Sequence, residues 1–415
     1  MRLTIHRGTH EIGGSCVEIR TKNAKVLIDL GIPLDYDKCT AEEQSQICYD
    51  ATEWCKDVDA VFLSHAHSDH YGFFGLITKD TPTYATEETF AMMGLDGIFG
   101  TDHSSHLKRC TLQGYKTYDI CGISVTCYPV DHSAFGACAL LFEVDGKRIL
   151  YSGDIRNHGP KGVLYKRLPK GVDYLLLEGT NISRAKNTIS ELDVTERFIK
   201  AFDVSPEALH LVWCSSKNID RICAIFKACK RRNKQLLIDP YVANVLAEAA
   251  KLNPKIPSTT SDRIKIFFAQ HLTTKLSESD KERYIYPLNP KIKKVTYDEI
   301  SNAPGQYVMI VRPSLLDFIQ RIKAEHIRLI RSIWSGYWGE PHTDTFRKWV
   351  KSHCEHIMDI HSSGHADAKS LYDIVEHIQP KSIVPIHTEQ PELFGKLFSA
   401  EKIIYLDDNE CLICK

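Results

Sequence analysis

The segment Ser64-His-Ala-His-Ser-Asp-His70 places four ligand-type side chains, His65, His67, Asp69 and His70, within six positions, directly after the apolar run Ala60-Val-Phe-Leu63. In an extended or tightly looped backbone, residues two apart project to one side, so His65 and His67 share a face. Neutral imidazoles and a carboxylate are the ligands zinc takes, and packing does not explain four of them together. One loop cannot saturate two metal ions, so further ligands are expected from other strand ends. His132 follows Pro129-Val-Asp131, Asp154 ends Tyr151-Ser-Gly-Asp154, and His387 ends Ile383-Val-Pro-Ile-His387. Each stands at the end of a β-run, where a rigid scaffold holds reactive loops. A carboxylate such as Asp154 can bridge two cations and a hydroxide between them.

Other residues have ligand or binding chemistry with less context. Glu178 ends Leu175-Leu-Leu-Glu178, and a carboxylate on a wholly apolar strand is costly without a partner. Asp359-Ile-His-Ser-Ser-Gly364-His365-Ala-Asp367 sets His365 in a turn of small residues that can approach an anion closely, with His361 four positions before it. Lys227, Lys230, Arg231, Arg232 and Lys234 form a basic run read as a solvated helix end, with phosphate contact as the alternative. Trp334, Tyr337 and Trp338 have the chemistry to stack bases, although such aromatics more often serve packing. His103, His106, His158 and His342 join no constellation and read as surface or loop residues. Cys411 and Cys414 supply half a zinc site, read as an accident of a terminal strand.

The elements that must position these residues change in texture along the chain. As far as Leu177, short β-rich runs separated by turns predict two packed sheets. From about Thr188, strands at 209–213, 235–238 and 307–311 alternate with helices at 218–231, 241–252 and 314–323, which predicts βαβ units and a mostly parallel sheet. Pro254, Pro257, Pro287, Pro290 and Pro304 predict irregular structure over 253–305. Short strands and helices return after 355, at 357–360, 369–378, 382–386 and 403–406.

A length of 415 residues exceeds one ordinary core. With 43% hydrophobic and 25% charged residues, disordered, collagen-like and coiled-coil classes are excluded. No apolar run approaches the roughly 20 residues of a membrane helix, and no signal-peptide core opens the chain, so a cytoplasmic location is expected. Fourteen scattered cysteines then read as reduced thiols. The net charge of −1 conceals an asymmetry: residues 186–350 carry 27 Lys plus Arg against 18 Asp plus Glu, a net of +9, which leaves −10 elsewhere. A basic segment of this kind can attract a polyanion.

The His-x-His-x-Asp-His loop, His132, Asp154 in Ser-Gly-Asp, Gly8-Thr-His-Glu-Ile-Gly-Gly14 and Val26-Leu-Ile-Asp-Leu-Gly31 together resemble the metallo-β-lactamase fold. Glu178 and the two later histidine motifs, Ser363-Gly-His365 and Val384-Pro-Ile-His387, are similar to those of the β-CASP nucleases, and most similar to ribonuclease J. The resemblance implies an α/β fold, an αββα sandwich split by an inserted α/β β-CASP domain. It implies residues 1–187 and 351–415 for the sandwich and 188–350 for the insertion. It further implies a first zinc on His65, His67 and His132, a second on Asp69, His70 and His387, and Asp154 bridging the two. Asp29 would be a buried structural acid. Manganese is an alternative metal.

The implied reaction is hydrolysis of single-stranded RNA, by 5′-exonuclease or endonuclease action, through a hydroxide held by two metals and anchored by Asp69 and Asp154. His365 would contact the phosphate and protonate the leaving group, with Glu178 orienting it. Ser363 and Gly364 could cradle a terminal phosphate. The rivals are a DNA-processing β-CASP nuclease, a hydrolase of small esters, lactones or thioesters on the same zinc core, and a silent RNA-binding homologue. The fold alone does not choose among them. The sequence leaves the oligomeric state open.

Overall fold

The strand Ala60–Phe62, which delivers the histidine-rich loop, is the fifth in a seven-stranded sheet. The sheet runs in the order Cys411–Ile413, Arg2–Arg7, Cys16–Arg20, Lys25–Ile28, Ala60–Phe62, Pro82–Ala85 and Lys108–Thr111. A six-stranded sheet packs against it, in the order Ser382–Ile386, Tyr174–Glu178, Lys147–Tyr151, Cys138–Val144, Ile123–Pro129 and Thr117–Ile120. This is a computed structural model, and it describes residues 1–184, 189–277 and 294–414.

The two sheets share one core. Leu3, Ile5, Val17, Ile28 and Phe62 meet Val125, Leu140, Phe142, Leu176 and Val384, all buried. The far face of the six-stranded sheet is covered as well, with Leu141, Leu150, Leu175 and Leu177 against Leu371, Ile374 and Ile378 of the helix Ala368–Ile378. A strand buried on both faces reads as a continuous apolar run, hence Tyr174-Leu-Leu-Leu-Glu178: Leu176 faces inward, and Leu175 and Leu177 face the helix. The result is the expected αββα sandwich.

The chain divides into two compact units, Met1–Thr188 with Gly364–Lys415, and Ile189–Ser363. The second unit is a six-stranded sheet, parallel throughout, in the order Ile264–Ile266, Gln235–Ile238, Tyr307–Val311, Leu209–Trp213, Ile327–Arg331 and His356–Asp359. Its helices start where side-chain caps permit. Asn218 accepts from the Arg221 N–H to open Ile219–Arg231, and Asp239 accepts from the Tyr241 and Val242 N–H groups to open Pro240–Leu252.

Several elements depart from the sequence expectation. The stretch 253–305 contains the strand Ile264–Ile266 and the helices Gln270–Ser277 and Tyr297–Asn302 among its described residues, while Pro287 and Pro290 lie outside them. The three-residue strand forms because it adds to the sheet edge beside Gln235–Ile238. The helix expected at 314–323 is the one-turn Leu316–Ile319 after a 3-10 turn, and 403–406 makes only the single bridge Ile383 to Ile403. The strand His356–Asp359 pairs with Ile327–Arg331, so the second unit's sheet runs past residue 350. The expected junction at 187/188 lies outside the described residues. Helices Ala41–Trp54 and Glu87–Phe99 were not foreseen. Among the described residues no helix is long and apolar enough to cross a membrane.

Candidate metal centre

Strand register brings the ligand-type residues to one edge of the sandwich. Ile28 pairs with Phe62, which sets Asp29 beside Ser64; Tyr151 pairs with Leu176, which sets Asp154 near Glu178; and Glu178 pairs with Ile386, which sets it beside His387. Beyond the strand Ala60–Phe62 the loop enters the short helix Ser68–Tyr71, which carries Asp69 and His70 and brings the His70 ring centroid to 4.1 Å from that of His65. The close fit is visible at Gly31, where a Cβ would stand 1.7 Å from the Asp69 carbonyl oxygen.

The ligand atoms form three overlapping sets. His65, His67, His132 and Asp154 make one, Asp69, His70 and His387 a second, and Asp154, His365 and His387 a third, with all atoms of a set within 4.8 Å of one another. Asp154 stands between the first two: its Oδ2 lies 3.3 Å from His65 Nε2, 3.4 Å from His70 Nε2 and 3.6 Å from His132 Nε2, and its Oδ1 lies 3.8 Å from His387 Nδ1. All seven residues that the resemblance singled out are thus brought together. Four of the imidazoles, His65, His70, His132 and His387, are fixed from their other side or their backbone. Asp29, fully buried with a left-handed φ of 58°, accepts from His70 Nδ1 (2.7 Å), from the Ser64 N–H and hydroxyl (2.8 Å each) and from the Tyr151 hydroxyl (2.6 Å). Ser64 Oγ lies 3.0 Å from His65 Nδ1, and His132 Nδ1 donates to the Gly364 carbonyl (2.7 Å). Thr180 Oγ1 lies 2.8 Å from His387 Nδ1, and the His387 N–H donates to the Gly8 carbonyl (2.6 Å), which holds His387 at a φ of 52°. Partners of this kind orient metal ligands and raise their basicity. The sequence singles out Asp29 as a structural acid and Gly364 as a phosphate contact, but neither Ser64 nor Thr180 as a partner of the ligands.

The donor set fits a divalent cation. Both carboxylate oxygens of Asp154 and His70 Nε2 are buried with no hydrogen-bond partner. A buried carboxylate left in that state is costly unless a cation satisfies it. Burial pushes the His132 imidazole well below its ordinary pKa, and burial together with the His70 charge lowers His65, so both are neutral ligands at pH 7. Against burial, the neighbouring imidazoles of His387 and His70 hold Asp154 well below the carboxylate range. The centre is a divalent-metal site.

Beside it, His365 Nδ1 lies 3.3 Å from Glu178 Oε1 and 3.7 Å from Asp154 Oδ2. Glu178 is fully buried and accepts from the Ile155 and Thr180 N–H groups, so its carboxylate is aimed at His365 rather than left in the apolar strand. Burial alone would depress the His365 pKa; Glu178, then Asp154, outweigh it and raise it to about 9. Gly364 packs so closely that a Cβ would sit 2.6 Å from Ser133 Oγ and 3.0 Å from His132 Cε1. Ser363 is the last residue of the second unit and Gly364 the first of the returning segment.

Sequence reasoning missed a buried ion pair that braces two ligand loops. Arg156, two residues past Asp154, donates from Nε to Asp131 Oδ1 (2.8 Å), and Asp131 immediately precedes His132. Both side chains are inaccessible, the Arg156 N–H donates to the Asp131 carbonyl (2.8 Å), and the Lys161 N–H donates to Asp131 Oδ2 (2.5 Å). Gly159 seals the pair, since a Cβ there would meet Asp131 Oδ1 at 2.4 Å. Within the first unit, His106 Nε2 bonds the Ile77 carbonyl and His103 contacts the Tyr71 ring, and neither joins a ligand set among the described residues. Cys411 is exposed and Cys414 buried at the terminal strand.

Comparison with known proteins agrees with this geometry. Residues 40–212 match the Beta-lactamase superfamily domain, and residues 339–403 match the Zn-dependent metallo-hydrolase RNA specificity domain. An RNase J-like protein of Methanocaldococcus jannaschii is 27% identical over 64% of this chain and 65% of its own length, so the chain spans just under two thirds of that relative. A probable RNase, MJ4, of the same organism is 24% identical over 64% of this chain and 69% of its own. The endoribonuclease ysh-1 of Neurospora crassa is 27% identical over 42% of this chain but 23% of its own. A crystal structure of a protein of unknown function from Enterococcus faecalis V583 superposes with a TM-score of 0.77 at 22% identity, over 100% of this chain and 99% of that one, which shows the fold. On the two matched domains and the ligand residues gathered around Asp154, the chain carries the domains of the metallo-β-lactamase superfamily and is similar to relatives named as ribonucleases.

Proposed function

We propose that the protein hydrolyses phosphodiester bonds of single-stranded RNA, as a ribonuclease with a two-metal centre. The observation that carries the reading is the ligand set His65, His67, His132 and Asp154 beside the set Asp69, His70 and His387, with Asp154 Oδ2 3.4 Å from His70 Nε2 and the His365–Glu178 pair alongside. His65, His67 and His132 would hold one zinc ion and Asp69, His70 and His387 a second, with Asp154 common to both; manganese is the alternative. Such ions supply charge neutralisation on phosphoryl oxygens and a water whose pKa falls toward ~7.

The chain's own residues do the rest. His365 is the acid. Glu178 accepts from its Nδ1, which keeps the ring cationic near neutral pH and leaves Nε2 as the nitrogen that hands a proton to the leaving oxygen. A metal held by Asp154 would commit that carboxylate, which leaves Glu178, already the larger influence, as the partner that keeps His365 basic. Gly364 holds His132 through its carbonyl, and its N–H with the Ser363 hydroxyl would take a terminal phosphate, which favours action from the 5′ end.

The test is cleavage of 5′-monophosphorylated single-stranded RNA by metal-loaded protein, with DNA of the same sequence and a small ester in parallel. Release of mononucleotides from RNA is expected. Efficient ester hydrolysis with intact RNA would overturn the reading, and equal cleavage of DNA would move the protein to the DNA-processing branch.

A further inference from the structure

In the second unit the strand Ile327–Arg331 ends in the turn Ser335–Gly339, which carries aromatics that the metal centre does not use. Trp334 is the one exposed tryptophan among the described residues, at 51%, and Tyr337 is 42% exposed. Both rings thus present aromatic surface to solvent, the surface on which a planar ligand can stack.

Their placement is fixed. Trp334 and Tyr337 meet edge to face at 5.5 Å. A Cβ on Gly336 would lie 2.2 Å from the Trp334 benzo ring, so the indole rests on glycine backbone that no larger residue could provide. Beneath them Trp338 packs at 5.8 Å from Trp213, and the Arg331 guanidinium lies 4.8 Å over the Trp338 ring while donating to both Asp359 carboxylate oxygens. The Arg331 guanidinium, paired with Asp359, thus fixes the Trp338 ring from its face. Arg331, Trp213 and Asp359 end three strands of a parallel sheet, the carboxyl edge at which such sheets collect ligands. The unit, residues 189–363, carries 27 Lys plus Arg against 20 Asp plus Glu, a net of +7.

We propose that Trp334 and Tyr337 form a stacking platform for the bases of single-stranded RNA. This rests on the RNA reading above and adds a binding site on the second unit. Stacking on aromatics is tolerant of sequence and suits a strand whose backbone a basic surface attracts, whereas the net charge gives an apolar protein partner no comparable pull.

The test is fluorescence anisotropy of a labelled, 5′-phosphorylated 12-nucleotide RNA, with divalent ions chelated, on full-length wild type, Trp334→Ala and Trp334→Phe. Hydrolysis of bis(p-nitrophenyl) phosphate by the metal-loaded variants checks that the centre is intact. Trp334→Ala is expected to weaken RNA binding about 5- to 100-fold, Trp334→Phe to stay near wild type, and the small diester to turn over normally. Wild-type binding that Trp334→Ala leaves unchanged would overturn the platform while sparing the RNA reading, and would give the surface to a protein partner. Failure of the wild type to bind RNA at all would overturn both.

Discussion

Glu178 shows how one carboxylate sets the chemistry of a neighbour. It lies fully buried at the end of an apolar strand and faces His365 Nδ1 at 3.3 Å. Because His365 is held above its ordinary pKa, to about 9, it is protonated below that value and loses its acid form as pH rises through it. Glu178→Gln removes the main opposing charge, so the alkaline limb of the kcat profile should move to lower pH with metal content unchanged; an unmoved limb would contradict the assignment. His365→Ala should keep its metal and lose turnover by about 100-fold or more, measured under single-turnover conditions. The Asp131–Arg156 pair belongs to the same scale but concerns stability. Arg156→Met leaves a buried carboxylate without its cation, and denaturant titration should show a loss of about 3–5 kcal/mol. Removing the brace should also weaken metal binding, since Asp131 directly precedes His132 and Arg156 follows Asp154 by two residues.

At the scale of elements, the site depends on strand ends in register and on glycines that let backbones meet. Gly364→Ala would drive a Cβ against Ser133 and His132, so metal affinity should fall even if the fold survives, as competition with a chelator would measure. The elements most legible in the sequence were those with one clear period. The apolar runs of the sandwich and the βα alternation after residue 188 are read directly, because strands buried on both faces must be continuously apolar. Less legible were elements fixed by tertiary pairing: Ile264–Ile266 exists as an addition to a sheet edge, and 403–406 lacks a neighbour to extend its single bridge. Helix Ala41–Trp54 did carry a local signal, the Thr40 and Glu43 capping box, which polar helix surface obscured. The ligands were legible because they cluster in sequence or end a strand. Thr180 and Arg156 were not, since ordinary loop residues acquire meaning only from what they touch.

For the whole molecule, the net charge of −1 is a balance between a basic unit and an acidic remainder that includes the ligand carboxylates. RNA affinity should therefore fall steeply with salt, as a plot of log Kd against log salt would show, and a flat plot would speak against a polyanionic substrate. The central claim is that one centre, shared through Asp154, binds the metal and performs the hydrolysis. Metal content and RNA cleavage measured on the same preparations of wild type and Asp154→Ala test it most directly. About two divalent ions per chain with cleavage in the wild type, and loss of both in Asp154→Ala, is the expected result. Full metal content and undiminished cleavage in Asp154→Ala would contradict it.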